Sequence, residues 1–114
     1  MITMTSARFE SLVADALDRI PASLADQMQN VVVVVEPEPE GDEDLLGEYI
    51  GVPLVDRYDY SGAMPDVIKV YEGPLLRMCS SEEEVVEEVY VTVVHEVAHH
   101  FGIDDRRLHE LGWD

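Results

Sequence analysis

This chain of 114 residues predicts an α+β fold, and three patterns in it carry that expectation. Residues 6–20 and 81–101 repeat apolar side chains at the spacing of one helix face. Val31 to Val35 is an unbroken apolar run of strand length. Asp66-Val67-Ile68-Lys69-Val70-Tyr71-Glu72 alternates as a strand does. The length suits one domain, 1–114, with one core.

In chain order, Phe9, Leu12, Val13, Ala16, Leu17 and Ile20 give an amphipathic helix that Pro21 ends. Leu24 and Met28 suggest a short second helix. Val31 to Val35, bounded by Asn30 and by Pro37 and Pro39, reads as a strand buried on both faces. Glu36 to Asp44 is acidic and carries two prolines, so it reads as an exposed, solvated connection. Leu45 to Val55, with Tyr49 and Ile50 between Gly47 and Gly51, reads as a strand or a bent extended segment. Asp56 to Pro65 reads as a mobile loop whose Tyr58 and Tyr60 are candidates for stabilising an oxyanion. The strand at Asp66 to Glu72 precedes Gly73-Pro74. If it borders a cleft, its free backbone groups suit an extended peptide added as a further strand. Leu75 and Leu76 lead into the next helix.

That helix begins with a capping box, Ser81 with Glu84, and an acidic first turn that suits the positive end of the helix dipole. Its valines have modest helix propensity, but the Glu-Glu-Val-Val-Glu-Glu-Val spacing is helical and not alternating. Val86, Val89, Tyr90, Val93, Val94, Val97 and Phe101 form the stripe expected to face the core. His95 and His99 fall on roughly the opposite side with Glu84 and Glu88, and Glu96 lies on a flank. His100 falls at the edge of the apolar side, where packing, or support of a ligand from behind, is expected rather than direct ligation. Gly102 is placed to stop the helix. Beyond it, Asp104 or Asp105 caps a short last helix that bears Leu108 and Leu111 and ends at Gly112, with His109 exposed.

Chemistry concentrates in His95-Glu96-Val97-Ala98-His99-His100-Phe101-Gly102-Ile103-Asp104-Asp105, which reads H-E-x-x-H-x-x-G-x-x-D. Histidines four apart on a helix project from one face, where they can grip one metal ion. A turn at Gly102 brings back a carboxylate as third ligand, and the spacing favours Asp105 over Asp104. Two imidazoles, one carboxylate and an open fourth position make a hydrolytic zinc site, with one Zn2+ per chain. Glu96 is then the catalytic general base, and a peptide bond is the natural target. Cys79 has no partner cysteine and reads as a buried or idle thiol.

Composition narrows the setting. A formal charge of −18 repels nucleic acid and anionic membranes and favours cationic partners, with solubility as its simplest role. No apolar run is long enough to span a membrane, no secretory signal is evident, and a single cysteine fits a reducing cytoplasm.

In the residues around the motif, from Thr92 to Asp105, the chain resembles the short bacterial zincin-like metallopeptidases, a minimal zincin. The resemblance extends to Leu45–Leu54 and Pro65–Tyr71. It implies a small mixed β-sheet packed on an N-terminal helix and the metal-binding helix. It also implies His95, His99 and Asp105 as zinc ligands, Glu96 as the catalytic residue, and a peptide or protein as substrate. The chain departs from metzincins, which usually place histidine third and follow it with a methionine turn; here the last methionine is Met78. Residues 106–114 alone follow Asp105, so a small lower lip to the cleft is expected. Two other readings stay open: a non-catalytic, zinc-stabilised acidic binding module, and an amide hydrolase that needs a partner to complete its cleft. The sequence does not fix an oligomeric state.

Overall fold

The computed structural model describes residues 1–28, 31–41, 44–51, 66–100 and 105–111. Helix α1 (Ser6–Leu17) starts where the Thr5 hydroxyl accepts a hydrogen bond from the Arg8 amide at 3.1 Å. It ends three residues before the expected Ile20. Arg19 and Ile20 close back onto Ala16 and Leu17 in tight i→i−3 turns. Pro21 explains this, because the residue before a proline is pushed out of the helical region. Helix α2 (Ala22–Ala25) and a 3-10 turn over Asp26–Met28 form the short second helix.

Strands β1 (Val31–Glu36), β2 (Gly47–Ile50) and β3 (Asp66–Tyr71) form one mixed sheet in the order β1-β3-β2. β1 runs parallel to β3, from Val31 opposite Asp66 to Glu36 opposite Tyr71. β2 runs antiparallel to β3, with Gly47 opposite Val70 and Ile50 opposite Val67. Both neighbours of β3 are therefore taken, so it has no free edge for an added peptide strand. The valine run also departs from expectation. Among the described residues it is an edge strand, covered on one face, and Val32 on the other face is 41% exposed. An unbroken apolar run does not by itself report two-sided burial; here Val31, Val33 and Val35 face the core.

After β3 the chain enters helix α3 (Glu72–Met78), where the sequence suggested only a lead-in. Pro74 sits in its first turn, where a missing backbone N–H costs nothing. Helix α4 (Glu82–His100) follows. The Ser81 hydroxyl accepts from the Glu84 amide at 3.1 Å, as a capping box requires. The reciprocal Glu84 carboxylate accepts from the Ser80 amide rather than that of Ser81, at 3.3 Å. Gly102, the expected stop, lies outside the described residues. Helix α5 (Asp105–Leu111) is the short last helix.

α4 is the centre of the fold. It packs against α1, against β2 and β3, and against α3. Val85, Val89, Tyr90, Val93, Val94, Val97 and Ala98 are buried, and so is Thr92. At about 100° per residue they cover roughly two thirds of the helix circumference. The stripe expected from the sequence was narrower, leaving out Val85, Thr92 and Ala98, while Val86, which it included, is only half-buried. α1 contributes Phe9, Leu12, Val13 and Ala16 to the same core, and the sheet contributes Ile68 and Val70. Exposed pairs finish the α1–α4 seam: the Arg8 guanidinium donates to both Glu82 oxygens at 2.8 and 3.0 Å, and Arg19 reaches Glu87 at 2.8 Å. Arg19 also lies over the Tyr90 ring, 5.0 Å from its centroid.

Two expectations follow from this packing. Phe9 is fully buried, so Phe9→Ala should lower unfolding free energy by about 3–5 kcal/mol in urea denaturation. A loss under about 1 kcal/mol would contradict its place in the core. At Gly47 a Cβ would stand 2.5 Å from Thr92 Cγ2 and 3.0 Å from the Lys69 carbonyl oxygen. Gly47→Ala should therefore cost about 1–3 kcal/mol. Thr92→Ser, which removes Cγ2, should recover part of that loss in a double-mutant cycle; strict additivity would show that the two residues do not meet.

Candidate active site

α4 is covered over most of its surface, which leaves one open strip. His95 lies on that strip, seven residues after Glu88 and on the same side. Glu96 falls by phase inside the buried arc, between Thr92 and Val89, but is only half-buried, as is His95. Both line a cleft of about 230 Å3 between α4 and the segment that enters β2. Glu88, Val91 and Thr92 complete the helical wall, and Leu45, Leu46 and Gly47 form the wall opposite.

Local rules hold that opposite wall in place. The Leu46 carbonyl accepts a hydrogen bond from the Tyr71 amide at 2.9 Å, which continues the β2–β3 ladder past the strand end. Leu46 also packs against the core. Gly47 then lets the strand backbone come close to Thr92, one turn before Glu96. A glycine inside a strand pattern often marks such a close approach. At the other end of β2, the Tyr49 hydroxyl donates to Asp66, whose side chain is buried. Among the described residues the outer edge of β2 pairs with no strand, so β2, and not β3, is the sheet edge beside the cleft.

His99 follows His95 by one helical turn on α4, and Asp105 is the first residue of α5. The side chains of His99, His100 and Asp105 lie outside the described positions, as do Gly102, Asp104, Tyr58 and Tyr60 in full. Among the described residues no three His, Cys, Asp or Glu side chains gather closely enough to hold a metal ion. Cys79 is buried, and burial, reinforced by Glu84 and Glu88, pushes its thiol pKa up. A thiol held protonated in this way is a poor metal ligand and a poor nucleophile, as an idle cysteine should be.

A larger cavity, about 490 Å3, lies on the sheet face away from α4. Glu36, Glu38, Glu40 and Glu48 surround Lys69 and Tyr71 there. The Tyr71 hydroxyl donates to Glu48 at 2.9 Å, and burial with that carboxylate pushes its pKa up to about 12. Glu38 is held by Arg77 at 2.7 Å, which lowers its carboxyl pKa. This cavity has none of the motif residues in its lining. The sequence pointed to His95 and Glu96, but not to Leu45, Leu46 or Thr92 as cleft walls; Gly47 was the one available sign of the close packing.

No helix among the described residues is long and apolar enough to cross a membrane. Comparison with curated proteins gives no match. Among solved structures, the chain is similar to a conserved hypothetical protein from Thermus thermophilus. The two are 26% identical with a TM-score of 0.59, over 96% of this chain and 100% of the other. Residues 28–113 match the zincin-like metallopeptidase family, a span that includes the sheet, the cleft and the whole H-E-x-x-H-x-x-G-x-x-D motif, and the chain belongs to that family.

Proposed function

We propose that the protein is a zinc-dependent metallopeptidase that binds one Zn2+ per chain through His95, His99 and Asp105. The observation that carries this reading is that His95 and Glu96 line the same cleft. A general base is useful only within reach of the water it deprotonates, and adjacent residues in one cleft meet that need. The donor set also fits the metal. Two imidazoles and a carboxylate are nitrogen and oxygen ligands of the kind zinc accepts, and three protein ligands leave a position for water. The half-buried His95 keeps its ring both held and reachable.

Zinc, when bound, supplies a Lewis acid that acidifies water and polarises the scissile carbonyl. The protein's own groups do the rest. The Glu96 carboxylate takes the proton of the attacking water and passes it to the leaving nitrogen. The outer edge of β2 aligns an extended peptide through main-chain hydrogen bonds. Leu45, Leu46 and Val91 give the cleft apolar walls that displace water from the substrate backbone.

Zinc measured by atomic emission should be near one per chain. Glu96→Gln should keep the metal yet lower peptide hydrolysis by at least about a hundredfold, the usual scale for losing a general base. Undiminished cleavage in that variant would sink the assignment, whereas zinc with no cleavage in the wild type would favour a metal-stabilised binding module. For the third ligand, Asp105→Ala should weaken zinc binding in a chelator competition far more than Asp104→Ala. The reverse ranking would move the ligand to Asp104.

A further inference from the structure

We propose that Glu88 selects substrates by receiving a lysine or arginine side chain at the end of the cleft away from His95. This rests on the peptidase reading of the cleft and names the class of peptide it takes. Six acids lie on α4, and most are committed elsewhere. Glu82 and Glu87 are paired with Arg8 and Arg19 on the α1 side. Glu84 closes the helix cap, and Glu83 is exposed in the first turn. Glu96 is the proposed base. Glu88 alone among the remaining acids lines the cleft, and no cation among the described residues pairs with it.

Its position is suited to reading a side chain. Glu88 precedes His95 by seven residues, about 10 Å along the helix axis. An extended peptide rises about 3.3 Å per residue, so Glu88 stands about three residues from the scissile bond. Between the two, the cleft is walled by Leu46, Val91 and Thr92. An amphipathic stem fits that wall while its charged head reaches the carboxylate, which describes lysine or arginine. The half-buried setting weakens solvent screening of the pair. The chain's net charge of −18 favours the approach of the same ligands.

The test uses zinc-loaded protein and neutral-dye-labelled hexapeptides of alanine and leucine, with lysine, arginine, norleucine or glutamate walked through each position. Turnover by the wild type tests the peptidase reading. Binding, read by fluorescence anisotropy in the Glu96→Gln variant so that no peptide is cut, tests Glu88. At one position, lysine and arginine peptides should bind about five- to tenfold tighter than norleucine. Adding Glu88→Gln should bring that ratio to about one, and adding Glu88→Lys should invert it in favour of glutamate. The preference should also shrink as salt rises. A cationic preference that persists without Glu88, no cationic preference at any position, or no binding of any peptide overturns the proposal. Glu88-dependent binding without wild-type turnover would keep Glu88 as the selecting residue and overturn the peptidase reading; turnover without that dependence would do the opposite.

Discussion

Burial of α4 over roughly two thirds of its circumference is the constraint from which the rest of the structure follows. A chain of 114 residues has room for one core, and this one builds it around a single helix. α1 covers one part of that helix, β2 and β3 another, and α3 a third. A helix so enclosed has little surface left for polar work. His95 and Glu88 occupy what remains, and the half-buried Glu96 reaches the cleft from inside the covered arc, between Thr92 and Val89. The scaffold and the site are therefore two faces of one element, and the side chains that fill the core also fix the angle at which His95 is presented.

The β2 wall shows how closely the two are joined. Gly47 carries no side chain because Thr92 needs the space, and Thr92 is itself buried on the helix that holds Glu96. The Leu46 carbonyl is tied to the Tyr71 amide, so the wall is registered to the sheet as well as to the helix. Width of the cleft is thus set by the Gly47 backbone against the Thr92 side chain on the helix side and by the Leu46–Tyr71 hydrogen bond on the sheet side. A site held this way is pre-formed, as suits a small domain with little structure to spare.

Much of this was legible in the residues. Helical spacing of the α1 apolar positions, alternation in β3 and the Ser81–Glu84 cap each report a local rule that tertiary packing did not override. The side of α4 that carries His95 followed from phase alone. What was not legible depended on neighbours distant in sequence. Nothing local tells Val31–Val35 that β3 will cover one edge and solvent one face. Thr92 looks like a surface residue until β2 is placed over it. The short α3 was hidden because Gly73 and Pro74 read as a break, whereas proline in a first turn is tolerated. The cleft walls, being loop and strand-end residues brought in by long-range contacts, carried no motif of their own.

Arg8 and Glu82, 74 residues apart, are bound to each other, and each residue of β1 meets its partner in β3 35 positions later, as Val31 meets Asp66. As the polypeptide leaves the ribosome, α1 and β1 are made early with apolar faces that have nothing to rest on. The element that unites them is made well after both. Packing of the helices must therefore wait for α4, and the cost of closing the long α1–α4 loop falls before the contacts between those helices are won. The segment that bears the histidines is in this sense also the keystone of assembly. No partly built form of the protein can display a finished cleft, so whatever the site does begins only once the whole core has closed.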